Sequence, residues 1–415
     1  MGNIEIDVWP PGAFQKATLV ARTVLTTTSG DLSGARLEIS SLVASQVLVG
    51  GSRKDVSNLV TQVLDQPEVL KLVRQLAEQR KAGTLVRQRR LVAVSGSHDH
   101  TVRVWDPLTG QPIGGALTGH QAEVMCVAVA ATRAGSLVAV SGGVDCTLRV
   151  WRPMGAPPSG RWTSSELTGH TDRVWSVALG TTSGGQLLAV SGSADGTVRV
   201  WDPLALRAVG RPLRGHQGPV QAVATATKRN GELVAISGGH DGTIRVWDPV
   251  SGRQLGSTLR GHQDWILSVA AVTSAQRIVV ASGGVDRSVR LWDPITARQL
   301  GGPLLGHDDW VRSVAACTTS RERVVVVSGG DDGTIRAWDS ATGKDIGRPL
   351  KSPGGVVAAV SAFPSQDGKF IALSGYFDGT LRVWDPIAGA SFGPPITDHA
   401  SMVRSLAITA SPSTH

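Results

Sequence analysis

The 415-residue chain carries a net charge of +8, and it is rich in Gly (50) and Trp (12) but poor in Phe (5) and Tyr (1). Such a skew indicates one Trp-containing unit copied many times, with glycine supplying its turns. No apolar run approaches the roughly 18 residues that a membrane-spanning helix needs, so we expect no membrane association.

The cysteine count and spacing bear on compartment and cofactors. Cys126, Cys146 and Cys317 are an odd number with no metal-ligand spacing. We therefore expect small thiols buried in strands, a reducing cytoplasmic setting, and neither a metal nor another cofactor.

Residues 1–88 resemble no known family. The segment IEIDVW (4–9) could form a strand, and residues 55–83 predict one or two amphipathic helices, the second starting at Pro67. We expect a small, mainly helical region. It contains no His or Cys, which argues against an enzyme site there.

From residue 89 onward, a strand-like segment ending in Trp recurs at steps of 46, 50, 46, 45, 46 and 46 residues. Gly-His pairs precede five of the copies, and two apolar runs lie between each His and the next Trp. Short Val- and Ile-rich runs separated by Gly, Asp and Pro indicate four short strands per unit. The seven segments are TVRVWD (101–106), TLRVWR (147–152), TVRVWD (197–202), TIRVWD (243–248), SVRLWD (288–293), TIRAWD (334–339) and TLRVWD (380–385).

Units of about 46 residues with Gly-His and Trp-Asp signatures resemble the WD-repeat family. The resemblance covers residues 89–415 and implies an all-β fold, a seven-bladed β-propeller in which each blade is a four-stranded sheet. We therefore expect two domains, an N-terminal region at 1–88 and a propeller at 89–415.

Blade one has no innermost strand of its own in sequence order. The C-terminal segment MVRSLAIT (402–409) is a strand pattern with no Trp segment after it. We expect this segment to pair with residues 90–96 and so to close the ring, which removes exposed strand edges. His399 should then lie beside Ser95 and Asp99.

Each unit also places His, Ser, Asp and Trp at fixed separations, with four residues from Ser to Asp and six from Asp to Trp. A Ser-His-Asp set suggests a hydrolase, but no copy has the Gly-x-Ser-x-Gly elbow. The family resemblance implies a structural relay of hydrogen bonds instead. From blade one to blade six the relay residues are His399, Ser95, Asp99, Trp105; His120, Ser141, Asp145, Trp151; His170, Ser191, Asp195, Trp201; His216, Ser237, Asp241, Trp247; His262, Ser282, Asp286, Trp292; and His307, Ser328, Asp332, Trp338.

Blade seven departs from this pattern, because Ser352 and Pro353 stand where Gly-His is expected. Ser374, Asp378 and Trp384 would then lack their bridge. We expect blade seven to be the least stable blade.

In WD-repeat propellers, partners usually dock on the top face, which is formed by the loops before the innermost strand and between the second and third strands. The third and fifth residues after each His, and the residue before each turn Asp, occupy that face. They vary from blade to blade, and Trp and Arg are the types most enriched in binding hot spots. The predicted partner-binding residues are Trp265, Trp310, Arg312 and Phe377, with Trp175 and Arg173 set apart across the ring.

The expected function is a non-catalytic, monomeric scaffold that binds other proteins or peptides. One alternative is a regulatory or sensor module of an enzyme or effector assembly, recruited through the N-terminal region. A second is nucleic-acid binding through the basic stretch 71–90, because residues 51–90 hold nine Lys and Arg against four acids. The repeat region is nearly neutral for its size, which makes nucleic acid the weaker alternative.

Overall fold

The computed structural model describes residues 4–5, 18–26, 36–44, 91–154, 161–274, 277–319, 322–364 and 370–410. The chain divides into two compact units, Met1–Val86 and Arg87–His415. Within the described residues, no helix is long and apolar enough to cross a bilayer.

In the first unit, β1 (Ile4–Glu5), β2 (Thr18–Thr26) and β3 (Arg36–Ala44) form an antiparallel sheet in that order. The described residues of this unit are therefore strands, and they give no support to a mainly helical region. The β-branched residues of TLVARTVLT and RLEISSLVA favour strands. The helices expected over 55–83 lie outside the described residues.

The second unit is a ring of seven antiparallel blades, as the sequence predicts; six are four-stranded sheets, and in blade three two short strands pair with the third strand. In chain order its strands are β4 (Leu91–Ser97), β5 (Val102–Asp106) and β6 (Gln111–Pro112) in blade one; β7 (Val124–Ala131), β8 (Leu137–Gly143), β9 (Leu148–Pro153) and β10 (Trp162–Leu167) in blade two; β11 (Val174–Thr181), β12 (Leu187–Ser193), β13 (Thr197–Asp202), β14 (Arg207–Ala208) and β15 (Leu213–Arg214) in blade three; β16 (Val220–Thr227), β17 (Leu233–Gly239), β18 (Thr243–Trp247) and β19 (Leu259–Arg260) in blade four; β20 (Ile266–Thr273), β21 (Ile278–Gly284), β22 (Val289–Asp293) and β23 (Arg298–Gln299) in blade five; β24 (Val311–Thr318), β25 (Val324–Gly330), β26 (Thr334–Asp339) and β27 (Leu350–Lys351) in blade six; β28 (Val357–Pro364), β29 (Phe370–Tyr376), β30 (Leu381–Asp385) and β31 (Ala390–Ile396) in blade seven; and β32 (Val403–Ala410).

The C-terminal strand closes the ring as expected. β32 is the innermost strand of blade one, whose sheet order is β32-β4-β5-β6. Val403 pairs with Ser97 and Ala410 with Leu91, so the predicted segment pairs along the whole of β4.

The apolar core lies between the blades. Each of the seven clusters of buried side chains found in the described residues combines residues of two consecutive blades. The cluster at the closure joins Leu373 and Val383 of blade seven to Ala93, Trp105 and Val403 of blade one. The closing contact is therefore packed like the others.

The Ser-Gly step of each second strand follows from this packing. A β-carbon at Gly375 of blade seven would lie 2.7 Å from Cγ1 of Val403 in blade one, closer than packed carbons approach. Some inner strands of neighbouring blades are also joined by a hydrogen bond. The backbone N–H of Val127 in blade two donates to Ser405 Oγ in blade one over 3.0 Å. The sequence did not predict this second link.

The cysteine expectation was partly wrong. Cys126 and Cys317 are buried thiols in strands, but Cys146 is half-buried in the turn between β8 and β9, with φ of 65°. It follows the turn residue Asp145, at a position where four other blades have glycine. The tight turn therefore accepts a non-glycine residue in a left-handed conformation.

Removing the closing strand should prevent the ring from forming. We expect a chain truncated after Ala400 to aggregate or fold poorly, because blade one would lack its inner strand and blade seven would expose its apolar face. Size-exclusion chromatography and circular dichroism measure this. A chain truncated after Ala410, which keeps β32, is the control and should behave as the full-length protein. A soluble, fully stable Ala400 truncation would contradict the role assigned to β32.

Candidate partner-binding face

A chain of hydrogen bonds runs from the centre of each of the first six blades to its loops. In blade four the Trp247 indole N–H donates to Ser237 Oγ over 2.8 Å, and Ser237 Oγ lies 2.8 Å from Nε2 of His216. The other ring nitrogen of His216 lies 3.0 Å from Asp241. With Nδ1–H donating to the carboxylate, the serine hydroxyl donates to Nε2, and every polar atom of the chain is satisfied.

The other five complete relays have the same geometry. Their Trp-to-Ser and Ser-to-His distances are 2.7–2.8 Å, and their His-to-Asp distances are 2.7–2.9 Å. The closing blade is one of them. His399 lies 2.7 Å from Ser95 Oγ and 2.8 Å from Asp99, about 300 residues away in sequence.

The relay aspartates are the ends of these chains. Burial by itself would raise the pKa of the Asp241 carboxyl, but hydrogen bonds from His216 and from the backbone N–H of Gln217 hold that pKa well below its usual range. Asp241 therefore stays ionised and ties the loop before the inner strand to the turn after the second strand. The relay serines are fully buried, so no substrate reaches a hydroxyl that would act as nucleophile.

Blade seven lacks the histidine bridge from Ser374 to Asp378, as expected, but another side chain bonds to the serine in its place. The hydroxyl of Tyr376 lies 2.6 Å from Ser374 Oγ, which also accepts the Trp384 indole N–H over 2.7 Å. Tyr376 is fully buried. Asp378 bonds to Thr380 instead. The tyrosine therefore takes the place of the missing imidazole.

The sequence contained a signal for this exchange, because Tyr376 is the only tyrosine in the chain. It stands two residues after the relay serine, where the other blades have Gly or Ser. In blade four a β-carbon at that position, Gly239, would lie 2.6 Å from Nδ1 of His216. A large residue at this position and a relay histidine therefore exclude each other.

The innermost strand of every blade carries a β-bulge near its start. In blade six Val311 pairs with Gly330 and Ser313 pairs with Gly329, which leaves Arg312 as the extra residue. The same shift occurs in all seven blades, and bulges commonly re-aim a side chain next to a binding site. From blade one to blade seven, these bulge residues are Arg404, Met125, Trp175, Gln221, Leu267, Arg312 and Ala358.

Three of the predicted partner-binding residues come together between blades six and seven. The guanidinium of Arg312 lies 5.3 Å from the ring centre of Trp310 and 5.5 Å from that of Phe377. The carboxylate of Asp331 forms a bidentate ion pair with the same guanidinium. Trp310 is 38% exposed and Phe377 is 44% exposed. We call Trp310, Arg312 and Phe377 the aromatic cluster.

Trp265 of blade five stands beside a histidine of blade four. The two rings are stacked, with 4.1 Å between their centroids and an angle of 2° between their planes. His240 Nε2 lies 3.0 Å from Gln221 Oε1. Trp265 remains 45% exposed. The contact between His240 and this tryptophan was not predicted from the sequence.

Trp175 and Arg173 occupy blade three. Arg173 is exposed, whereas Trp175 is half-buried and its indole nitrogen has no hydrogen-bond partner in the described part of the chain. In the ring order they are separated from blades five to seven. Among the described residues, no group of three His, Cys, Asp or Glu could hold a metal ion.

Ser237→Ala should lower the free energy of unfolding by about 1–3 kcal/mol, because it leaves the Trp247 and His216 nitrogens buried without a partner. Urea denaturation measures this loss. Ser257→Ala, at an exposed serine of the same blade, should change stability by less than about 0.5 kcal/mol. Equal stability of the two variants would mean that the relay contributes nothing.

Blade seven permits a test of the exchange between His and Tyr. Pro353→His alone should destabilise the protein, because Tyr376 already fills the space of the imidazole. Pro353→His combined with Tyr376→Gly should be more stable than the sum of the two single changes predicts, which a double-mutant cycle of unfolding free energies detects. Additive effects would show that the two sites are independent.

Comparison with known proteins agrees with the geometry. The family model described as "WD domain, G-beta repeat" matches residues 85–106, 111–152, 161–202, 208–248, 253–293, 299–339 and 347–385, more than half of the chain. A similar solved structure is a crystal structure of the computationally designed Ika8 protein, with 34% sequence identity and a TM-score of 0.53 over 76% of this chain and 86% of that one. No curated protein matches the chain. The chain belongs to the WD-repeat family, whose propellers generally mediate protein–protein interactions and are typically non-catalytic.

Proposed function

We propose that this propeller is a non-catalytic scaffold that binds a protein or peptide partner on its top face. The observation that carries the proposal is the exposure of Trp265, Trp310 and Phe377 on three consecutive blades. Exposed aromatic side chains grouped around an arginine are typical of binding hot spots, and they cost little conformational entropy when they are already held in place.

The surroundings of these side chains favour such a role. Asp331 fixes Arg312, and stacking on His240 fixes Trp265. A partner would thus meet a surface that is largely ordered before binding. Trp175 and Arg173 on blade three offer a second point of contact to a partner that crosses the channel.

A catalytic function has less support. The Ser-His-Asp sets are buried, and each of their polar groups is used within its blade. Binding through the N-terminal region is a separate alternative. Its helical segment lies outside the described residues, and no observation there favours it over the top face.

Changing Trp265 and Trp310 together to Ala should abolish capture of the main partner from cell extract, while the free energy of unfolding stays within about 1–2 kcal/mol of the wild type. Quantitative mass spectrometry of the captured proteins and a thermal melt measure the two effects. The control is the pair Val250→Ala and Ile295→Ala. These side chains are more exposed than the two tryptophans, at 64% and 57%, but they lie in turns after third strands, at the opposite end of the blades.

The control pair should retain the captured proteins. Unchanged capture by the Trp265 and Trp310 double variant would show that the partner does not bind to this surface. Loss of the same proteins from both double variants would show that exposed apolar area, rather than a specific site, accounts for capture.

A further inference from the structure

In two blades the side chain of the bulge residue forms a hydrogen bond with the residue before the turn aspartate of the same blade. In blade four this pair is Gln221 and His240, which share a hydrogen bond of 3.0 Å. In blade six it is Arg312 and Asp331, joined by two N–H···O contacts. Each pair satisfies its own polar groups.

Blade one places two nitrogen-bearing side chains at these equivalent positions, Arg404 and His98. Neither neutralises the other, and the charge of Arg404 adds to burial in lowering the pKa of His98. The Nε2 atom of His98 is buried without a hydrogen-bond partner, and Arg404 forms no hydrogen bond or ion pair, within the described residues. The backbone N–H of His98 donates to the Met402 carbonyl over 3.0 Å, so the two side chains leave neighbouring segments of backbone, and the polar groups of both lack a partner in this part of the chain.

Among the described residues, no side chain accepts a hydrogen bond from either group. Blade seven, which separates Arg404 from Arg312, contributes only Ala358 at its bulge. Burial and the charge of Arg312 lower the pKa of Arg404 to about 10, still high enough to keep the guanidinium charged at neutral pH. Of the two acids whose charges reach this place, Asp331 is held by Arg312, and Glu123 acts on His98 from blade two.

We propose that Arg404 and His98 form a seat for an anionic side chain, a carboxylate or a phosphate, carried by the polypeptide that binds the aromatic cluster. The oxygen atoms of such a group accept hydrogen bonds from the guanidinium and from Nε2–H of His98, and charge-assisted bonds of this kind are the strong ones. Partial burial strengthens them further. The seat adds a chemical class to the partner proposed above, and in that respect it depends on the proposed function.

The seat itself is tested without any partner, using inorganic phosphate as the probe. Phosphate stabilises proteins in general by its exclusion from their surface, so the measured quantity is the difference in melting-temperature rise between wild type and variant. We expect Arg404→Gln and His98→Gln each to lose part of the rise. Arg229→Gln, at an exposed arginine in the turn between the first and second strands of blade four, should keep all of it.

Two outcomes of this titration overturn the seat. One is an equal rise in wild type, Arg404→Gln and His98→Gln, and the other is a loss as large in Arg229→Gln as in Arg404→Gln. If Arg404→Gln fails to fold, His98→Gln carries the test. The Trp265 and Trp310 double variant should keep the full phosphate response, which separates the seat from the aromatic cluster.

The class of ligand is tested with three pools of random peptides that share one fixed central residue, glutamate, phosphoserine or glutamine. We expect the wild type to bind the glutamate or the phosphoserine pool about ten- to a hundredfold more tightly than the glutamine pool, as one or two charge-assisted bonds provide. Whichever acidic pool binds more tightly identifies the source of the anion. Arg404→Gln should abolish the preference and Arg229→Gln should retain it.

The peptide experiment also separates failure of the seat from failure of the proposed function. Binding of all three pools with equal affinity overturns the anionic ligand and leaves partner binding intact. A normal phosphate response without binding of any pool would show that the seat binds anions but that no peptide partner uses it. Tighter binding of a single-stranded oligonucleotide than of any pool would overturn the assignment to a polypeptide.

Discussion

A four-stranded blade has two broad faces, and in this fold another blade covers each of them. Every core cluster found in the described residues belongs to two consecutive blades, so no blade has a core of its own. Stability therefore depends on an unbroken circle of contacts, and that circle explains details that look local. The Ser-Gly step lets Val403 approach Gly375, and Ser405 accepts a hydrogen bond from the next inner strand. These small residues are located where two sheets come closest.

The relay connects this core to the variable surface. Its tryptophan lies in an inter-blade cluster, whereas its aspartate binds the two loops that carry the top-face residues. The loops of a blade thus have fixed anchor points, and the bulge adds one residue to the inner strand while the pairing continues on either side. Because the relay and the bulge use different residues, the bulge position holds Arg in two blades and Gln, Trp or Ala in others, while the strand pairing stays the same.

The fold was predictable because its signals repeat: seven Trp segments in phase specify the blades, and the leftover C-terminal strand specifies the closure. The strands β2 and β3 were not predicted, since single segments without repetition offer only local propensity. Tyr376 was overlooked because its role is visible only when the missing histidine and the added tyrosine are compared in space. The top-face positions followed from the family, but the stacking of His240 on Trp265 and the unpaired donors of Arg404 and His98 depend on side-chain directions that sequence alone does not specify.

The bond between His399 and Ser95 joins residues 304 positions apart, and this separation has a consequence for biosynthesis. Proteins emerge from the ribosome at about 5–20 residues per second. Roughly 15–60 seconds therefore pass between the synthesis of β4, the second strand of blade one, and the synthesis of β32, its innermost strand. During that interval β4 presents an unpaired edge to solvent or to a chaperone, while blades two to six can already pack in order. The arrival of β32 thus converts a stack of sheets into a closed ring and removes the unpaired edge at which β4 is open to pairing with another chain.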